Sequence, residues 1–274
     1  MTRGGKIVGV AGAAAVVYGA WVRPRLMRWG ATDEEVTGPY PGADLVSDGD
    51  RGATMAVTID AAPDQVWPWL VQLGGDRGGW YSWDHLDNAG RPSAQTVHPE
   101  WQDIAVGDYI KYRTRRHGLV DAWQVAALEP NRFLGLRGLS DLRGRSLDPK
   151  QPRPSAYTEG LWGFLLTELP AGRTRLVIGG YQALRPRWLG RFLDYWLYPP
   201  VVWIMQARML AVLKRNVERA APGWTPAPSP ERPVIRVARR SRRFGERARL
   251  ISAFPQRPAE RVRVAGELGH DENK

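Results

Sequence analysis

Residues Ala53–Leu73, ATMAVTIDAAPDQVWPWLVQL, constrain the fold of this chain more than any other stretch. Thr54, Ala56 and Thr58 alternate with Met55, Val57 and Ile59, which puts the two sets on opposite faces of an extended segment. Asp60-Ala61-Ala62-Pro63 then turns the chain, and Pro63 suits the first turn of a helix, where its missing N–H is not needed. Val66, Trp67, Leu70, Val71 and Leu73 follow at helical spacing, with Pro68 as an early distortion. A strand thus feeds directly into a Trp-bearing helix, and its purpose depends on what comes after.

What comes next is Gly74–Asn88, which sets four glycines beside Trp80, Tyr81 and Trp83. It matches neither the phosphate-loop pattern nor the dinucleotide fingerprint. Two roles fit: rings plugging a core, or rings around a ligand. Ser82 or Asp84 is positioned to cap a short helix through Leu86. Strands are expected from about Tyr109 to Tyr112, then over Leu119–Ala127, Arg132–Arg137, Ala156–Glu168 and Thr174–Tyr181. Arg113–Gly118 reads as a charged hairpin loop and Ser140–Ser155 as an exposed one. Gln182–Leu197 mixes Arg185, Arg187 and Arg191 with Trp188, Phe192 and Trp196, a pattern that fits an ordinary packed helix or one lying in a membrane interface. Val201–Ala220 is the clearest long helix, with Val202, Met205, Met209 and Val212 on one face.

Upstream, Ile7–Val22 is an uncharged run of sixteen residues, short of the roughly 20 of a usual membrane span. Lys6 and Arg23 snorkelling outward, with Trp21 and Trp29 near the interface, make up the deficit. A single-pass anchor is preferred here over a cleaved export signal or a buried helix. Arg23, Arg25 and Arg28 outweigh Arg3 and Lys6, placing the following domain on the cytoplasmic side. The expected organisation is an anchor over 1–28, a linker over 29–52, a domain over 53–220 and a Pro/Arg-rich disordered tail over 221–274.

The net charge of +11 invites nucleic acid or anionic lipid as a partner, but +6 of it sits in Ala221–Lys274, with 12 Arg/Lys against 6 Asp/Glu. The domain itself is only modestly basic, which argues against nucleic acid. The sequence has no Cys, excluding disulfides, thiolate metal sites and a thiol nucleophile. No metal-ligand spacing and no Gly-x-Ser-x-Gly elbow occurs, and no cofactor or metal is expected. His98 with Glu100, or Asp84 with His85, could form an acid–base pair if a cavity held them.

The run Asp60-Ala61-Ala62-Pro63-x-x-Val66-Trp67-x-x-Leu70 resembles the opening of the START-like (SRPBCC) superfamily, which includes polyketide cyclase/dehydrase and lipid-transfer domains. The resemblance continues through Gly79-Trp80-Tyr81-Ser82, Pro99-Glu100-Trp101-Gln102, Val106-Gly107-Asp108 and the closing helix, and covers Gly52–Ala220. WGATDEE at Trp29–Glu35 and GGWYSWDHLDN at Gly78–Asn88 resemble one bacterial branch of it. The resemblance implies an α+β helix-grip fold: a curved antiparallel sheet wrapped around a long C-terminal helix, with a cavity between. It implies that Trp67 and Leu70 lie near one end of that cavity, that Trp80, Tyr81, Trp83 and His85 surround its entrance, and that Met205, Met209 and Val212 line its floor. The segment 140–155 is then a candidate flap. No catalytic set is common to the superfamily. The expected function is binding of a hydrophobic small molecule or lipid at a membrane. The alternatives are a cyclase/dehydratase- or hydrolase-like enzyme and a non-catalytic interaction protein.

Overall fold

The period-two alternation of the opening strand recurs along longer segments and builds one sheet. The structure, a computed structural model, describes residues 10, 12–115, 118–149 and 151–220. These fall in the first of two units, Met1–Ala238; the second, Arg239–Lys274, lies outside the described residues, as do the whole predicted tail 221–274, His117, and residues 1–9 and 11 of the N-terminal run.

Seven strands pair antiparallel: β1 (Asp50–Arg51), β2 (Met55–Ile59), β3 (Tyr109–Thr114), β4 (Gly118–Glu129), β5 (Phe133–Asp141), β6 (Tyr157–Leu169) and β7 (Arg173–Arg185). Their order is β1-β7-β6-β5-β4-β3, with β2 also on β7. Register shifts at Ile110/Lys111 and Val125/Ala127 mark bulges that bend the β3–β5 side. Residues 12–22 are helical and run on into α1 (Arg23–Met27), and the short helix α2 (Asp33–Thr37) also precedes the sheet. The helix α3 (Pro63–Val71) follows β2, and the single turn α4 (Asp84–Asp87) comes next. After β7 come α5 (Arg187–Trp196) and the 22-residue α6 (Tyr198–Arg219).

Side-chain parity then decides the packing. Met55, Ile59, Leu134, Leu136, Phe164, Leu166, Leu176 and Ile178 form the inner face and share one core with Trp69 and Leu70 of α3 and Met209, Leu210, Leu213 and Val217 of α6. The sheet curves around α6, giving the helix-grip fold. Pro63 stands in the first turn of α3 and Pro68 lies within it, as the sequence indicates. The long helix begins at Tyr198 because Pro199 and Pro200 occupy its first turn, where absent N–H groups cost nothing. The segment Gln182–Leu197 divides differently from expectation: β7 runs on to Arg185 before α5 begins.

Residues 29–52, expected as a linker, are bound to the sheet. The Ala56 amide donates to the Trp29 carbonyl (3.1 Å), and Thr54 to that of Met27 (2.8 Å). Thr32 and Glu35 close a reciprocal capping box on α2. Glu35 also receives Arg175 of β7 (2.7 and 2.8 Å), which holds its carboxyl below the usual range. Tyr40 then lies on the outer face between Gly163 and Gly179, which pair directly across β6 and β7. A Cβ at either glycine would approach the Tyr40 ring to 2.8 or 3.2 Å, so the pair forms a slot. The Tyr40 hydroxyl donates to the Val177 carbonyl (3.1 Å). The segment is therefore a strap closing the convex face, a role that composition in Gly and Pro did not reveal.

Candidate functional site

The inner face is hollow at one end because of what its side chains omit. In β6 and β7, Gly160 faces Gln182 and Trp162 faces Gly180, so each cross-strand pair supplies one side chain instead of two. Gly180 has no alternative: its φ is +152° and a Cβ there would fall 1.8 Å from the Leu161 carbonyl oxygen. At Gly160 the added atom meets nothing nearer than the Tyr181 carbonyl oxygen at 3.6 Å. Gly52 and Ala53 leave the neighbouring edge equally bare.

Over this hollow, α6 lays Tyr198, Val201, Val202, Met205 and Gln206, which recur at helical spacing on one face. The half-open cavity is about 250 Å³, with Trp123 on its flank. Its lining contains no Asp, Glu, Lys, Arg or His. Tyr198 is held next to the Ala53 amide and the Gln182 side chain, and burial pushes its hydroxyl up to about 12. It is therefore protonated throughout the physiological range. Val201 is 59% exposed and lines the cavity, so the cavity opens at that rim. A wider groove of about 1000 Å³ runs past Tyr40, Pro63, Asp64 and Arg132 at the opposite end. It is more open to solvent and carries Asp64, Arg132 and Glu168 in its lining, whereas the space under α6 has no charged group and better suits an apolar ligand.

Of the ligand-binding residues expected from sequence, Met205 lines this cavity. Trp80 is buried behind it, stacked on Trp162 with ring centres 5.8 Å apart. Leu70, Tyr81 and Met209 lie in the packed core, and Trp67 and Val212 are partly buried against it. Tyr81 packs edge-on to Trp69 and accepts from Gln72 at 2.6 Å. Trp83 has another role. Its indole N–H donates to the Ile204 carbonyl (3.1 Å), Ser82 donates to that of Met205 (3.0 Å), and Arg208 reaches back to the Ser82 carbonyl (2.8 Å). The Arg208 guanidinium also covers the Trp83 ring at 4.1 Å. The Gly- and Trp-rich segment is thus a clasp on the roof helix rather than a rim of the cavity.

The four polar candidates do not meet in the cavity. Asp84 accepts from the Ser93 amide (3.2 Å) and hydroxyl (2.6 Å), fixing a loop. His85 is exposed. His98 and Glu100 do pair at 3.2 Å, but on the surface, with the imidazole stacked on Trp101. Hydrogen bonds from its own backbone amide and from His98 keep the Glu100 carboxyl below its usual range. Among the described residues no three His, Asp or Glu converge as for a metal ion. The described residues of the loop between β5 and β6, the candidate flap, contribute nothing to the cavity lining. Its Arg153 instead binds Glu159, whose register places it on the outer face. Sequence reasoning missed Gly160, Trp162, Gly180, Gln182, Tyr198 and Gln206. Glycines inside two otherwise regular strand patterns were the available signal.

No family model matches this chain, and no curated protein does either. Solved structures do resemble it. A protein from Mesorhizobium loti is 20% identical, with a TM-score of 0.34 over 62% of this chain and 99% of that one. One from Arthrobacter aurescens is 16% identical, with a TM-score of 0.38 over 64% and 97%. DynU16, a putative protein in the dynemicin biosynthetic locus, is 17% identical with a TM-score of 0.34; the match spans 59% of this chain and 46% of that one. At such values the fold stands on its own strand order, register and gripped helix.

Proposed function

We propose that this domain binds an uncharged hydrophobic or amphipathic small molecule or lipid in the cavity under α6, at a membrane reached through Ile7–Val22. The observation that supports the reading is a cavity of about 250 Å³ whose walls are aromatic, aliphatic or glycine and whose polar groups are all neutral. An ionised ligand would lose hydration there with no counter-charge to replace it. Apolar burial supplies the affinity, while the Tyr198, Gln182 and Gln206 side chains orient a polar end. The volume is below the ~300–1,000 Å³ of common small-molecule pockets, which suits one ring system or one end of a longer chain. Among the described residues no single helix is long and apolar enough to cross a membrane; what supports the tether is the uncharged apolar run Ile7–Val22 in the sequence.

Gly160→Leu tests the reading, because the new side chain projects into the cavity from a position with room for its Cβ. Binding of the uncharged probe N-phenyl-1-naphthylamine to the detergent-extracted full chain is expected to weaken by about tenfold or more, some 1.4 kcal/mol. Near-UV circular dichroism should stay unchanged. Equal binding by both proteins, or no binding by either, would overturn the assignment.

A further inference from the structure

The helix α5 is mounted with much of its apolar surface outward. Gly190 packs it on Leu184, leaving Trp188 72% and Phe192 56% exposed. The exposed apolar surface continues across the junction into α6 through Leu197 and Val201. The N-terminal helical segment adds to it from more than 170 residues away. Tyr18 stacks on Trp196 with ring centres 5.1 Å apart, and its hydroxyl reaches the Tyr195 and Trp196 carbonyls at 3.1 and 3.2 Å. That contact sets the exposed Val17 and Trp21 beside α5. Isolated exposed apolar side chains are ordinary; a joined patch assembled from two distant segments marks an interaction surface.

Arg187, Arg191 and Arg25 are exposed on the same two segments, while Asp194, the acidic residue of α5, is half-buried near Arg23. Charge selects the occupant. A second copy would set this cationic rim against its own equivalent, and the tail 221–274 carries a net +6. Rings and aliphatics between arginines are what a helix presents to the headgroup boundary of an anionic bilayer. We propose that this face docks on an anionic phospholipid bilayer, with α5 lying in the interface and the Val201 rim of the cavity opening onto the lipid. The consequence for ligand entry rests on the binding function proposed above; the docking does not.

The absence of Cys in the sequence makes the test direct. Phe192→Cys and Thr167→Cys, the second exposed near the far end of β6, each carry one nitrobenzoxadiazole label on the full chain. With phosphatidylcholine vesicles containing phosphatidylglycerol, the label at 192 should shift to the blue and brighten at least twofold. It should be quenched by nitroxides placed at the headgroup boundary. The label at 167 should not respond, and pure phosphatidylcholine should give a smaller effect. A label at 192 that stays water-exposed while the protein floats with the vesicles would overturn the proposal, since the N-terminal run alone would then hold the chain. So would quenching indifferent to phosphatidylglycerol, or shielding that grows with protein concentration when no lipid is present. Gly160→Leu leaves the label at 192 untouched, so the two proposals fail separately.

Discussion

Asp87, at the end of α4, is 3% exposed, and neither carboxylate oxygen has a hydrogen-bond partner of normal geometry. Burial, reinforced by the neighbouring Asp84 charge, pushes its carboxyl up to about 6. The group is ordinarily near 3.8, so between about pH 4 and pH 6 the folded protein keeps a proton that the unfolded chain has released. Stability therefore falls as pH rises through that window and stays lowered above it. Asp87→Asn removes this titration. Urea unfolding should show the variant more stable than the parent by of order 1–3 kcal/mol at pH 8, with the gain vanishing near pH 4. A difference of the same size at both pH values would refute the assignment to Asp87. Nothing in the letters Asp84-His85-Leu86-Asp87 distinguishes the buried carboxylate from the one that binds Ser93, because their contacts come from other parts of the chain.

At the scale of elements, local pattern and observed structure agree where the pattern is long. Met55–Ile59, α3 and α6 follow directly from period-two and period-3.6 spacing. Strand ends were harder to read. The strands β5 and β7 run four residues past their expected ends, to Asp141 and Arg185, because pairing with β6 continues through polar positions. The following loop shows a related effect. Glu159 of β6 is 1% exposed and receives both Arg137 of β5 and Arg153 of the loop, the latter at 2.8 and 3.0 Å. A charged, proline-containing stretch thus acquires a fixed point from a carboxylate that no local pattern identifies. Arg153→Ala leaves Glu159 paired with Arg137 and should cost about 1 kcal/mol, while proteinase K cuts within residues 148–156 several times faster. Glu159→Ala strands two part-buried guanidinium groups and should cost about 3–5 kcal/mol by thermal unfolding. If the two substitutions were equally costly, the shared carboxylate would not be the centre of the network.

For the molecule as a whole, the sheet is covered on both faces, and the sequence indicated one cover only. The inner cover, α3 and α6, carries helical apolar stripes that can be read directly. The outer cover is the strap of residues 29–52, whose hold depends on Tyr40 entering the Gly163/Gly179 slot and Glu35 pairing with Arg175. Both depend on residues more than 120 positions away, and so escape any local reading. Tyr40 joins Ala56, Phe133 and Val177 in an outer cluster, each 6% exposed or less. Two truncations separate the N-terminal run from the strap. A chain starting at Met27 keeps the carbonyls that accept from Thr54 and Ala56, together with the whole strap. It should retain native near-UV circular dichroism and lose little thermal stability. A chain starting at Ala53 uncovers the outer cluster and leaves Arg175 without its carboxylate. Burying large side chains such as Tyr40 and Phe133 is worth several kcal/mol, against a total of about 5–15 kcal/mol for a typical domain. The shorter chain should therefore lose its near-UV signal or aggregate. If it melted within a few degrees of the longer one, residues 29–52 would be a tether after all.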